Sequence, residues 1–114
     1  MYSKKQIQRY ERLKYTRELE RYLNRIVKFV STNDFTIDEY SRYVDEIFKP
    51  FEDIKKVFLN SEYFKELEKF VEYSANLSNQ NLDSIEIKKS IQYKANQLKK
   101  IKRVRNFNKS KHKG

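Results

Sequence analysis

A chain of 114 residues with one glycine and one proline has almost nothing with which to make tight hairpins. The two-residue turns that join antiparallel strands need residues at positive φ, and glycine is the usual supplier. Here the glycine is Gly114, the last residue, and the proline is Pro50. Apolar residues make up 38% and aromatics 15%, enough to build a core rather than a disordered coil. The expected fold is therefore all-α: a small single-domain bundle of four to five helices.

The apolar spacing divides the chain. A long N-terminal helix is predicted over 3–31, with Tyr15, Leu19, Tyr22, Leu23, Ile26, Phe29 and Val30 on one face. Ile7, Tyr10 and Leu13 fall on a different side, so either this helix breaks near Leu13 or its first turns touch something the rest does not. Thr36-Ile37-Asp38-Glu39 reads as a capping box, with Phe35 placed to staple onto Tyr40, and opens a helix over 37–48. Pro50 suits the first turn of a third helix over 50–59 carrying Phe51, Ile54, Val57 and Phe58. Asn60 or Ser61 then caps a helix over 61–77. Asp83 and Glu86 open the last one, 84–105, whose stripe is Ile87, Ile91, Ala95, Leu98 and Ile101. Residues 1–105 make up the expected helical domain. Residues 106–114, with one aromatic and no period, are expected to be a flexible basic tail.

Charge is distributed in blocks. Residues 1–28 carry +6, residues 29–83 carry −6 and residues 84–114 carry +10, which equals the net charge of the whole chain. Glu86 is the only acid after Asp83. A surface that merely solubilises mixes its signs, whereas a one-signed stretch raises the local potential and attracts phosphates. The candidate anion-binding residues are Lys88, Lys89, Lys99, Lys100, Lys102, Arg103, Arg105, Lys109, Lys111 and Lys113. A second basic stripe, Lys14, Arg17, Arg21, Arg25 and Lys28, recurs at helical spacing on the first helix and could assist. Phe107, among these cations, is the candidate for stacking on an exposed base. Lysine outnumbers arginine, which favours electrostatic positioning over bidentate base reading.

This points to a non-enzymatic nucleic-acid-binding accessory protein that contacts phosphate through its basic C-terminal helix and tail, with DNA and RNA both open. A helix-turn-helix over 50–77 is disfavoured, because its second helix would carry Glu62, Glu66, Glu68 and Glu72 against Lys65 and Lys69. The alternative is a protein-interaction module, an adaptor or inhibitor docking through the long N-terminal helix onto a larger partner or a second copy as a homodimer. Off-centre Tyr43, Tyr73 and Tyr93 are where a dimer surface would be sought.

Catalytic signals are missing. There is no cysteine, and the one histidine, His112, lies among lysines in the expected tail, so no nucleophile, base or metal site is expected, and no cofactor. Carboxylate pairs such as Glu62/Glu66 stand beside lysines and read as solvated acids. The first residues lack an apolar signal-peptide core and no run is long enough to span a bilayer. Membrane association is disfavoured, and a cytoplasmic location is expected.

Overall fold

A computed structural model describes the backbone of residues 3–111 and the side chains of residues 3–103. All regular structure among the described residues is helical. It comprises α1 (Lys4–Thr32), α2 (Ile37–Phe48), α3 (Glu62–Asn76) and α4 (Ser84–Lys111), with short 3₁₀ turns at Lys49–Asp53 and Leu77–Asn79. The molecule measures 46 × 38 × 21 Å, and its least dimension is about two helix diameters.

Local chemistry accounts for where each helix starts. Thr36 Oγ1 accepts from the Glu39 amide (3.1 Å) while the Glu39 carboxylate accepts from the Thr36 amide (3.2 Å), completing the expected box. The Phe35 ring lies 5.8 Å from that of Tyr40, the expected staple. Ser61 caps α3 through the Phe64 amide (3.5 Å), and the Asp83 carboxylate accepts from the Glu86 amide (2.8 Å) at the head of α4. A further box, Ser3 with Gln6, opens α1. At its other end the Thr32 hydroxyl and the Asn33 amide donate to the Lys28 and Phe29 carbonyls, which leaves those acceptors satisfied where the helix stops.

α1 does not break near Leu13. Its backbone is continuous, and the Thr16 hydroxyl bonds back to the Arg12 carbonyl at 2.9 Å. From Tyr15 onward it buries the expected stripe, Tyr15, Leu19, Tyr22, Ile26 and Val30, against α2, α3, α4 and the 3₁₀ turn at Lys49–Asp53. α4 answers with Ile87, Ile91, Ala95 and Leu98, and α3 with Tyr63, Leu67, Phe70 and Val71.

The helix expected over 50–59 is not formed. Pro50 opens only a single 3₁₀ turn, closed by the Ile54 amide on the Phe51 carbonyl; Ile54 is extended, and no helix forms again before Glu62. The reason is reach. Phe51 packs its ring among Tyr15, Tyr22 and Phe48 (6.3, 6.2 and 5.4 Å), whereas Lys55 and Lys56 already meet Glu11 on α1 and Glu72 on α3. Extended backbone covers about 3.3 Å per residue against 1.5 Å in a helix, and β-branched Ile54 and Val57 tolerate it. Along this strand-like stretch Val57 and Leu59 turn inward and Phe58 outward, 78% exposed. With no first helix there, residues 50–77 do not contain the pair of helices that a helix-turn-helix needs.

The backbone of α4 continues past the expected end near 105 as far as Lys111. No glycine or proline stands between Ser84 and Gly114 to stop it. Of the flexible tail expected over 106–114, the side chains of 106–111 and the whole of 112–114 lie outside the described residues.

One polar node is buried. Ser74 Oγ donates to the Val71 carbonyl at 3.0 Å, so its partner Tyr22 Oη, 2.7 Å away, must be the donor in their bond. Tyr40 Oη donates to the Ser74 carbonyl at 2.8 Å. α1, α2 and α3 thus meet at one residue. Burial pushes the Tyr22 hydroxyl up to about 12 and raises Tyr40 further. Tyr15 is raised by burial and by its hydrogen bond to the Glu68 carboxylate.

These shifts fix the sign of an alkaline transition. Between the ordinary tyrosine value near 10 and the raised values, the unfolded chain has lost protons that the folded chain keeps, so stability is whole below about pH 10 and falls above it. The urea midpoint should hold level from about pH 7 to 9 and drop steeply beyond about pH 10, less steeply in Tyr22→Phe. A midpoint at about pH 11 equal to that at neutrality would contradict this assignment.

Candidate functional site

α4 has one acid, Glu86 in its first turn, and the fold decides which way its lysines face. Because Ile87, Ile91, Ala95 and Leu98 are held in the core, the residues about half a turn away must face solvent. Lys89, Tyr93, Asn96, Lys100 and Arg103 are all exposed. At 3.6 residues per turn, they and Ile85 fall within an arc of about 80°. Lys88 and Lys99 lie toward α1, Lys88 half-buried and Lys99 exposed.

The packing of α4 on α1 joins the two basic elements. Gln92 Nε2 lies 3.3 Å from Ser31 Oγ, and a groove of about 360 Å³ runs beside this contact, lined by Lys28, Asn24 and Glu20 from α1 and by Lys99 and Lys102 from α4. Lys28, Lys99 and Lys102 are therefore brought together although more than 70 residues separate the first from the other two in sequence. Lys14, Arg17, Arg21 and Arg25 remain exposed along α1, an arc adjoining that of Lys28 by helical spacing. The side chains of Arg105, Phe107, Lys109 and Lys111 lie outside the described ones, as does Lys113 altogether.

The cations differ in how far they are already engaged. Lys102 Nζ is 3.6 Å from the Glu20 carboxylate and 5.3 Å from the centre of the Tyr63 ring. Arg21 pairs with Glu18 at 2.6 Å. Lys94, not among the expected contacts, lies over the Tyr73 ring at 5.0 Å. Among the described residues no ion pair involves Lys88, Lys89, Lys99, Lys100, Arg103, Arg17, Arg25 or Lys28. Among the described residues Lys102–Glu20 is the one ion pair that reaches α4, and its acid comes from α1 rather than from the acidic middle of the chain. No group of three or more His, Cys, Asp or Glu side chains among the described residues is placed to hold a metal ion. No described helix is long and apolar enough to cross a membrane.

Two features of this surface were missed from the sequence. One is Glu20, which puts a single acid inside the groove. The other is Tyr93, picked out as off-centre but not as the aromatic standing among the α4 cations. Its offset from the Ile87–Ile91–Ala95 stripe was the available signal.

A solvated or ligand-binding surface tolerates neutralisation, whereas a structural one does not. Lys99→Gln, Lys100→Gln and Arg103→Gln should each leave the free energy of unfolding within about 0.5 kcal/mol of the parent. Lys102→Gln, which loses both an exposed ion pair and a ring contact, should cost about 0.5–1.5 kcal/mol. Urea titration followed by circular dichroism checks both, and a loss above about 2 kcal/mol at Lys99, Lys100 or Arg103 would make them structural.

Comparison of the chain with protein-family models, with curated proteins and with solved structures found no match.

Proposed function

We propose that this is a non-enzymatic nucleic-acid-binding accessory protein that holds phosphate backbone along the outer face of α4 and across the groove between α4 and α1. The observation that carries the reading is uncompensated charge. Lys88, Lys89, Lys99, Lys100 and Arg103 have no ion-pair partner among the described residues, and Lys28 faces the same groove as Lys99. Cations left without partners keep their full attraction for a polyanion, and the release of its condensed counterions drives association. Lysine-rich contacts of this kind position a backbone and read little sequence.

Fluorescence anisotropy of the full chain with a short duplex DNA, a single-stranded DNA and a duplex RNA, from about 50 to 300 mM salt, tests the reading. Binding should be micromolar or tighter at the low end and weaken by several decades per decade of salt. The triple variant Lys99→Gln/Lys100→Gln/Arg103→Gln should lower the log–log slope by about 2–3 units. Glu20→Gln, which removes the acid from the groove, should strengthen binding. Absence of binding to all three probes at about 50 mM salt would sink the proposal.

A second reading, a protein-interaction module, is favoured by one observation. Ile7, Tyr10 and Leu13 are 47%, 66% and 51% exposed on an unbroken helix, and the first two line a cavity of about 800 Å³ together with Ile54 and Lys55. If a second copy covers this patch, sedimentation equilibrium should show a dimer that persists at high salt and dissociates in Leu13→Ser. A monomer at every concentration tried would remove the homodimer form of this reading.

A further inference from the structure

Tyrosine is used in two ways in this fold. Of the eight tyrosines whose side chains are described, six are tied into the structure. Tyr15, Tyr22 and Tyr40 are buried donors to Glu68, Ser74 Oγ and the Ser74 carbonyl. Tyr43 stacks on Phe29 at 4.3 Å and donates to the Arg25 carbonyl. The Tyr63 and Tyr73 rings are covered by Lys102 and Lys94. Tyr10 and Tyr93 remain exposed. Tyr10 stands in the apolar patch with Ile7 and Leu13, whereas Tyr93 stands among cations and makes no hydrogen bond or ring contact with another described residue.

The setting of Tyr93 is that of a stacking platform. Lys89 lies one turn before it and Lys100 two turns after, on the same arc of α4, so a positive charge flanks the ring about 6 Å and 10 Å away along the axis. Asn96, three residues on and exposed, offers an amide that can both donate and accept. The ring is 63% exposed, and its neighbour Lys94 is turned away toward Tyr73 rather than laid over it. A duplex has little use for such a ring, because its bases are already stacked on each other and a side chain reaches their faces only by wedging into a step. An unpaired base has a free face, and stacking on an aromatic ring gains affinity whatever the base.

We infer that the nucleic acid taken by this surface is single-stranded, with one unpaired base stacked on Tyr93 and its flanking phosphates on Lys89 and Lys100. The inference rests on the nucleic-acid reading above and narrows its substrate class. It moves the stacking role from Phe107 to Tyr93.

The test uses the full chain and three probes of about 12 nucleotides or base pairs: a single-stranded DNA, a duplex, and a single strand with the same phosphates but abasic sites in place of its bases. Tyr93→Ala should bind the single strand roughly 5- to 100-fold more weakly than the parent, while Tyr93→Phe, which keeps a ring, stays close to it. Both variants should bind the duplex and the abasic strand as the parent does. Photo-crosslinking of a bromouracil-substituted strand should place the adduct on Tyr93. Tyr93 is exposed, so neither variant removes core packing, and circular dichroism checks that both fold. Equal binding of the single strand by the parent and Tyr93→Ala, with salt-dependent binding intact, overturns the inference and leaves the nucleic-acid reading standing. No binding of any probe by the parent overturns both.

Discussion

The buried stripe of α1 between Tyr15 and Val30 is the surface on which α2, the 3₁₀ turn at Lys49–Asp53, α3 and α4 all pack. Its geometry follows from spacing alone: Tyr15, Leu19, Tyr22, Ile26 and Val30 recur every three or four residues, and burying them leaves Arg17, Arg21, Arg25 and Lys28 outside. Specificity enters at Tyr22. An aliphatic side chain there would fill the space, but the Tyr22 hydroxyl needs an acceptor, and Ser74 meets it at 2.7 Å in a site with no unsatisfied polar side chain among the described residues. A helix displaced by one residue would leave that hydroxyl buried and unbonded, at a cost of about 1–3 kcal/mol. The Tyr40 bond to the Ser74 carbonyl fixes α2 against the same point. The node therefore sets the registers of three helices, and with them which side chains remain outside.

α4 inherits its orientation from that arrangement. Ile87 and Ile91, both fully buried, fix its rotation, and the cations half a turn away are exposed as a consequence rather than by a separate device. Gln92 meeting Ser31, and Lys102 meeting Glu20, fix where α4 lies along α1. One residue of slip would carry Lys99 and Lys102 off the side that Lys28 occupies. The groove thus depends on core packing in which Lys28 and Lys99 take no part, while Lys102 joins it only over the Tyr63 ring and at Glu20.

Most of the fold was legible, for definite reasons. Thr36, Ser61 and Asp83 announce helix starts because a short oxygen-bearing side chain can satisfy an amide that the helix itself cannot. The stripes of α1, α2, α3 and α4 follow because their neighbours along the sequence are polar. The stretch 50–59 misled because Phe51, Ile54, Val57 and Phe58 fit a helical period equally well. What differs is where Phe51, Lys55 and Lys56 find partners on α1 and α3, tertiary contacts with no local signature. The Ser3–Gln6 box was readable and was passed over. Of the candidate site, the cations on α4 and α1 could be named from charge blocks and spacing. Their convergence in one groove and the presence of Glu20 within it could not, because each depends on how two helices cross, whereas the exposure of Tyr93 follows from its offset within α4.

The acidic middle of the chain then takes on a different meaning. Complementary blocks of +6, −6 and +10 invite the thought that the protein neutralises itself. Yet the described ion pairs between elements are Lys55–Glu11, Lys56–Glu72 and Lys102–Glu20, and none joins an acid of residues 29–83 to α4. Among the described residues no acid of α2 or α3 pairs with an α4 cation, so direct pairing does not neutralise that face. A polyanion approaching such a dipolar surface is repelled from one side and drawn to the other before any contact forms. Under the proposed function the acids confine a strand to the α1–α4 side, and the exposed tyrosine of that side is where an unpaired base would find a partner. A basic arm on an evenly neutral body would bind a polyanion in many poses; the same arm on a body whose own charge is split into a basic α1 and acidic α2 and α3 restricts them.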